Sequence, residues 1–395
     1  MSRIPRRRRA FGAYQTAKHL LAGLRRPASL PARLAFLGAL LSPLVLGLFG
    51  CGAAATEYPE PANPDQPVPD APPPLITAEE AALYIGHPKV AFIDARPDKL
   101  YRAGHPKGAV HADWTEFRDS EATLMTGKLD ADLDRLAAVF AAKGVGGDMW
   151  AIVFGDPLDL WGEEGRIAWT LRYLGATKVS VVDGGYAAWT GAGLPTGKGV
   201  VTRPPAEFTA EVVDKYMARK RDVQRFSEDR ENWQTVLVDV REPGEYRGAP
   251  DAPSYGALRV GHVPGAVNLP WRTLLDESGK VKSAEVLGEI LLEKGIRPDA
   301  HIITYCTGGV RSAHTWYVLD SLGYPSVKNY AASWWEWSLD RTLGAERGGQ
   351  RAIPLGPKWP PEEPEPREEE PARSDEVPSQ PPADEAEPPE PAAQE

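Results

Sequence analysis

The stretch with the clearest chemical content is Ile303-Thr-Tyr-Cys306-Thr307-Gly308-Gly309-Val310-Arg311-Ser312-Ala-His314. An apolar run ends at a cysteine, two glycines follow, and helix-forming residues resume at about Ser312. Glycines let a backbone curl so that the N–H groups of Thr307, Gly308, Gly309 and Val310 point inward as an anion-binding nest. The helix behind the loop adds the positive end of its dipole at the same place. A thiol so placed ionises below the ordinary value of ~8.5, and its thiolate is a nucleophile. The alternative for Cys306 is a buried structural thiol, against which the strand, glycine loop and helix argue. Arg311 closes the loop, and its planar fork suits two oxygens of an anionic substrate; the alternative is that it pairs with a carboxylate or carbonyls of the protein itself. His314 at helical spacing faces away from the loop and is expected to have no catalytic role.

The spacing bears on a rival chemistry. Cysteine phosphatases and arsenate reductases set the two residues as Cys-x5-Arg, in a loop that encircles a tetrahedral oxyanion. Here the pattern is Cys306-x4-Arg311, and the shorter loop suits a sulfur atom better than a phosphate. The only other cysteine is Cys51, in a wholly different setting, so Cys306 is expected to be a free thiol.

The elements that carry this loop occur twice. Val90-Ala-Phe-Ile-Asp94-Ala-Arg96 matches Val236-Leu-Val-Asp239-Val-Arg241, each an apolar run ending in Asp-x-Arg. Gly104-His105-Pro-Lys-Gly108-Ala109 matches Gly261-His262-Val-Pro264-Gly265-Ala266, and both lead to a tryptophan, Trp114 and Trp271. Ala151-Ile-Val-Phe-Gly-Asp156 matches His301-Ile-Ile-Thr-Tyr-Cys306. Val179-Ser-Val-Val-Asp183-Gly184-Gly185-Tyr echoes Val327-Lys-Asn-Tyr330-Ala-Ala-Ser333-Trp334. Thr77 with Ala78-Glu79-Glu80 is a capping-box helix start. Short apolar runs alternating with helical stretches predict a parallel sheet covered on both faces, with ligands at the carboxyl ends of its strands.

With these motifs in order, twice, the chain resembles the two-domain rhodanese family, the thiosulfate and 3-mercaptopyruvate sulfurtransferases, from Thr77 to roughly Asp340. The resemblance implies an α/β fold of two tandem rhodanese-like domains, each a parallel sheet flanked by helices on both faces. It also implies an active cysteine in the second domain and a persulfide on Cys306. The outer sulfur would be cradled by the loop N–H groups and passed to a thiol or cyanide acceptor, with no cofactor or metal. Members preferring thiosulfate tend to have cationic loops and those preferring 3-mercaptopyruvate small neutral ones; on Arg311, a small anionic sulfur donor, thiosulfate first, is expected. A non-catalytic lipoprotein that binds a partner through its acidic Pro/Glu tail, or a persulfide carrier feeding another protein, is the second reading.

In the first copy Asp156 stands where Cys306 does, so that copy is expected to be a silent scaffold and a wall of the cleft. The stretch Pro157–Gly165 carries Asp159, Glu163 and Glu164, expected to repel an anion. Asp94 with Arg96, and Asp239 with Arg241, are expected to form ion pairs and turn hydrogen bonds. His105 and His262, placed alike in both copies, are read as structural. Arg247 and Arg259 are candidates for the cleft rim, and Arg219, Lys220 and Arg221 for a solvated helix face.

The expected organisation is a signal peptide over 1–50, a Pro-rich linker over 51–76, and domain one over 77–198. A linker over 199–210, domain two over 211–345 and a disordered Pro/Glu-rich tail over 346–395 complete it. Basic residues, the apolar run Ala35–Phe49 and Leu48-Phe49-Gly50-Cys51 resemble a bacterial lipoprotein signal. Export and membrane tethering through a lipid on Cys51 are therefore expected, facing the periplasm or cell exterior. The formal net charge of -10 speaks against a nucleic-acid partner.

Overall fold

In the computed structural model, residues 59–60, 63–229 and 234–349 are described. Cys51, the stretch 1–50 expected to be a signal peptide and the residues beyond 349 lie outside them.

Alternation in the strands sets up the layers. In Val90–Asp94, Ala91 and Ile93 face one core while Val90 and Phe92 face another, the two-residue period of a strand buried on both sides. The first sheet is parallel, in the order Leu75–Ile76, Val179–Val182, Trp150–Phe154, Val90–Asp94, Val110–His111. The second is parallel, in the order Ser326–Asn329, His301–Tyr305, Thr235–Asp239, Val267–Asn268. Apart from the extra edge strand, the two orders are the same, as the repeat requires.

Helices cover both faces of each sheet. Ala78–Ala82 and Gly185–Gly191 close the outer face of the first, and Lys220–Glu228 and Ser333–Leu339 that of the second. The inner faces share one continuous core, which takes in Leu133–Ala142, Glu163–Tyr173, Ala284–Glu293 and Arg311–Ser321. Thr77 forms the capping box with Glu80 that the sequence predicts.

Buried ion pairs fix the strand ends. Asp94 accepts the Arg96 Nη2 at 2.6 Å, and Asp239 accepts Arg241 Nη2 at 2.5 Å. The same nitrogens donate to Gly104 O at 2.6 Å and Gly261 O at 2.7 Å, which ties each Gly-His turn to its strand. His105 and His262 are buried, with Nδ1 at 2.9 and 2.8 Å from the carbonyls of Tyr101 and Tyr246. Burial pushes both below the usual histidine value. These residues do the same structural work in both copies.

Three boundaries differ from expectation. Leu75–Ile76 pairs with Val181–Val182 as an edge strand, so the first domain begins inside the Pro-rich segment. The stretch 199–210 lies on the first domain: Val201 N–H donates to Tyr101 Oη and Ala206 N–H to Ala141 O, both at 2.9 Å. At the far end Glu346 exchanges backbone hydrogen bonds with His262 at 2.9 Å, and Gly348 N–H donates to Arg247 O at 3.2 Å, so ordered packing passes residue 345. The first two stretches are expected as linkers and the third as part of a disordered tail, but their backbone groups find partners on domain surfaces.

The seam between the domains is made by the helices that follow the two matched loops, Glu163–Tyr173 and Arg311–Ser321. At Gly165 an added Cβ would overlap His314 Cα and backbone nitrogen, so only glycine allows this approach. Gly165→Ala is expected to destabilise the protein by about 1–3 kcal/mol, the range for forcing extra atoms into a filled interior. Gly191→Ala, where an added Cβ meets nothing, is expected to be neutral or slightly stabilising. Thermal unfolding of the two variants checks the contrast.

Candidate active site

The strand His301–Tyr305 delivers Cys306 to its carboxyl end, and the helix Arg311–Ser321 begins five residues on. Gly309, with φ 79°, turns its N–H onto Cys306 Sγ at 3.0 Å. Ser312 Oγ lies 3.7 Å from the same sulfur and donates to Asn329 Oδ1 at 2.7 Å. The loop is clamped from behind: Trp334 N–H donates to Cys306 O at 3.1 Å and Trp335 N–H to Thr307 O at 3.0 Å. Burial alone would push the Cys306 thiol up, but Arg311, Ser312 and the Gly308 N–H outweigh it, and the net shift is downward. The result is a buried thiol predisposed to ionise, as the glycine loop predicts.

Ser333 was a family marker in the sequence and proves to have a task. Its Oγ accepts the Cys306 N–H at 3.1 Å and donates to Tyr330 O at 2.7 Å. To do so it holds φ at 54°, close to the 58° of Gly185 in the matched position of the first copy. A non-glycine residue there stores about 1–3 kcal/mol of strain, which these two hydrogen bonds offset.

Arg311 takes the second course that its sequence context left open. Its Nη1 donates to Glu245 Oε2 at 2.7 Å, and its Nη2 donates to Glu245 Oε1 at 2.9 Å and to Thr307 Oγ1 at 2.8 Å. The pair is buried, and its guanidinium lies 5.1 Å from the Trp161 ring centroid and 5.8 Å from that of Tyr255. The fork is therefore spent on a protein carboxylate, and Arg311 reaches Cys306 by its field rather than as an open anion receptor. Although burial opposes it, Arg311 holds the Glu245 carboxyl below its ordinary value.

The first domain completes the site. Arg166, fully buried, donates from Nη1 to Gly309 O at 3.1 Å and from Nη2 to Gly127 O at 2.5 Å. It thereby staples a first-domain loop to the back of the Cys306 loop. Burial lowers its pKa to about 10, against which the Cys306 charge acts. In front of the thiol lies a cavity of about 180 Å³ lined by Trp114, Trp161 and Glu163 of the first domain. Tyr255, Trp335 and the loop residues Cys306, Thr307, Gly308, Val310 and Arg311 close it from the second.

Glu163 and Glu164 are not the exposed, repelling charges expected of them. The helix starts at Glu163, and both side chains are buried. Burial, with Asp113 and Asp156 nearby, pushes Glu163 up to about 7 despite the Trp161 N–H. Burial and Glu163 push Glu164 up to about 8. His314, held by burial near 4, lies with Nε2 at 3.4 Å from Glu164 Oε1. At neutral pH this is a contact of two uncharged groups in the seam, not an ion pair. Arg259 does not rim the cavity: it donates to the carbonyls of Trp337, Ser338, Asp340 and Leu343, holding the C-terminal segment. Arg247 is likewise not among the cavity-lining residues. Arg219 pairs with Asp214 on the surface.

Sequence reasoning gave Glu163 a repelling role and missed Arg166, Trp114, Trp161, Tyr255, Trp335 and Glu245 as site residues. Glu163, Arg166, Trp114 and Trp161 come from the copy without the cysteine. The available signal was the repeat itself: two matched helices packed together bring the start of one to the loop of the other.

The rhodanese-like domain description matches residues 77–192 and 222–340. The chain is 34% identical over 272 residues to the sulfur carrier protein TtuD of Thermus thermophilus, covering 67% of this chain and 93% of that protein. It is 35% identical over 274 residues to the putative thiosulfate sulfurtransferase SseA of Mycobacterium tuberculosis, covering 67% and 87%. Among solved structures, the 3-mercaptopyruvate sulfotransferase SseA from Escherichia coli aligns at a TM-score of 0.59 and 29% identity, over 67% of this chain and 99% of that one.

Two outcomes follow from the electrostatics. Arg311→Met leaves the Glu245 charge buried and unpaired, so a loss of about 3–5 kcal/mol in stability is expected, with the pH midpoint for Cys306 alkylation moved upward. A carboxyl raised on folding binds more protons in the folded state, so its contribution declines as pH rises from the ordinary 4.5 towards about 8. Glu164→Gln should therefore match the parent in thermal stability below pH 4.5 and exceed it increasingly up to pH 8.

Proposed function

The chain belongs to the rhodanese-like family and is a sulfurtransferase of it, and we propose that it works by carrying a sulfane sulfur on Cys306 as a persulfide. The observation that carries this reading is the buried Cys306 Sγ facing the Gly309 N–H at 3.0 Å, at the floor of a walled cavity. The thiolate attacks the outer sulfur of a donor, a sulfur–sulfur bond forms, and the donor's remainder leaves with the electron pair. The loop N–H groups then hold the charged outer sulfur, and an acceptor thiol or cyanide takes it in a second step. This two-stroke cycle gives ping-pong kinetics.

The donor is small and anionic, and 3-mercaptopyruvate now stands ahead of thiosulfate. The case for thiosulfate was the free fork of Arg311, and that fork is bound to Glu245. From the loop, the neutral residues Thr307, Gly308 and Val310 line the cavity beside Cys306, together with Arg311, whose charge is paired with Glu245. A site without an open guanidinium suits a monoanion better than a dianion. A second reading keeps the Cys306 persulfide but discharges it onto a protein, which the sulfur-carrier name of the Thermus relative favours. Tethering through a lipidated Cys51 is also part of our reading, supported by the apolar run that ends in Leu48-Phe49-Gly50-Cys51.

The purified protein should gain the mass of one sulfur atom on exposure to a donor and lose it to an acceptor thiol, and Cys306→Ser should do neither. Full transfer activity in Cys306→Ser would falsify the scheme. The kcat/KM for 3-mercaptopyruvate is expected to exceed that for thiosulfate. Efficient loading with sluggish release to small thiols would favour the carrier reading.

A further inference from the structure

The two donors differ in one respect that the cavity addresses. Thiosulfate gives up its outer sulfur and leaves as sulfite, and no proton moves. A mercaptopyruvate carries its sulfur as a thiol bonded to carbon. When the Cys306 thiolate attacks that sulfur, the carbon–sulfur bond breaks and its electron pair stays on carbon. Sulfur is oxidised to the sulfane level, carbon is reduced, and the carbon needs a proton to become the methyl group of pyruvate.

Four aromatic rings, Trp114, Trp161, Tyr255 and Trp335, wall the cavity. They leave few groups able to supply that proton. Arg311 is committed to Glu245 and Thr307. Tyr255 is pushed by burial above its ordinary value and stays a poor acid. Cys306 is the nucleophile. Glu163 is the remaining titratable side chain that lines the cavity. It is 5% exposed, and its Oε2 is oriented by the Trp161 N–H at 2.9 Å.

Resting on the persulfide reading above, we propose that Glu163, supplied by the domain without the cysteine, is the catalytic acid for 3-mercaptopyruvate. The protonated carboxyl gives its proton to the carbon as the carbon–sulfur bond breaks, leaving pyruvate, a neutral Cys306 persulfide and the Glu163 carboxylate. The persulfide S–H then returns its proton to Glu163, and the thiol proton of the donor has in effect moved from sulfur to carbon. Charge is conserved in both steps. The groups facing Glu163 support a protonated resting state. Asp113 and Asp156 approach it as like charges, Glu164 beside it is itself raised to about 8 and adds no charge at neutral pH, and across the cavity Arg311 is neutralised by Glu245. Its value of about 7 suits an acid working near neutrality, and a neutral carboxyl does not repel the donor's own carboxylate.

The test measures persulfide loading of Cys306 by intact mass, with pyruvate or sulfite release, for both donors across pH. In the parent, loading from 3-mercaptopyruvate should rise as Cys306 ionises and fall as pH passes about 7; loading from thiosulfate should show only the rise. Glu163→Gln should lose about 10²-fold in loading from 3-mercaptopyruvate, the lower end for removal of a general acid. It should lose the falling limb as well, yet load from thiosulfate like the parent, which also reports an intact fold. Glu163→Asp should restore part of the rate with the limb, and Glu164→Gln should keep both. Equal losses with both donors, or an unchanged limb in Glu163→Gln, overturn the role of Glu163 while leaving the persulfide reading standing. A parent that loads from thiosulfate alone overturns the role of Glu163 together with the donor assignment. A parent whose Cys306 loads from neither donor overturns the persulfide reading itself.

Discussion

The approach of Gly165 to the backbone of His314 is the contact on which the Cys306 site depends. Two helix starts can bring their loops face to face only if one helix has no side chain at the crossing, and Gly165 supplies that gap. From this contact the first domain sends Glu163 into the cavity in one direction and Arg166 behind the Cys306 loop in the other. A larger residue at Gly165 would act on the site without touching it. The paired groups at the crossing, Glu164 and His314, are both held uncharged by burial. That contact adds no ion pair to the seam, whose polar links lie elsewhere: Arg166 on Gly309 O, Arg272 on Leu160 O, Tyr317 Oη on Val179 O, and Arg172 facing Asp320 at 3.9 Å.

Charge is distributed around the thiol with some economy. Two guanidinium groups lie near Cys306, and neither is open to a ligand. Arg311 has a carboxylate partner, and the pair is nearly neutral at a distance while its positive end still favours the thiolate. Among the described residues Arg166 pairs with no carboxylate; its Nη1 and Nη2 donate to two carbonyls while its buried Nε has no hydrogen-bond partner, so burial acts on it strongly. A thiolate at Cys306 is the favourable counter-charge for it. On the persulfide reading, loading from thiosulfate keeps one negative charge at this spot, first on the thiolate and then on the outer sulfur, and loading from 3-mercaptopyruvate restores it when the persulfide proton passes to Glu163.

Much of this was legible in the sequence. The strand–Cys–Gly-Gly–helix stretch fixes an activated thiol by local geometry alone, and the Asp-x-Arg and Gly-His repeats revealed themselves as structural because both copies share them. What escaped were contacts between segments far apart in the chain. Nothing near Arg311 announces Glu245, which lies 66 residues away. The acidic stretch of the first copy was read by its own local charge, as though it lined its own empty site. Burial reversed that reading, turning Glu163 from a repelling charge into a carboxyl raised to about 7. The segments beside each domain were likewise misjudged, because local composition says nothing about partners such as Val181, Tyr101, Ala141 and Arg247 that lie far along the chain.

On the proposed reading, the first copy is silent only as a nucleophile. With Asp156 in place of a cysteine, and burial and Asp159 raising that carboxyl, its own strand end offers nothing for sulfur to bond to. Its helix start, however, is placed by the pseudo-symmetry of the repeat against the loop that does carry a thiol. In a tandem pair each strand-to-helix corner faces the other, so one cavity can draw on two sets of residues. One corner keeps the glycine nest that stabilises a negative sulfur. The other, freed from that task, can carry aromatic walls and a protonated carboxyl that a nest of N–H groups would otherwise ionise. A single domain could not place both environments at one corner, because the field that lowers a thiol would lower a neighbouring carboxyl as well. Separating them onto two helices lets the thiol and the acid be tuned in opposite directions within the same small space.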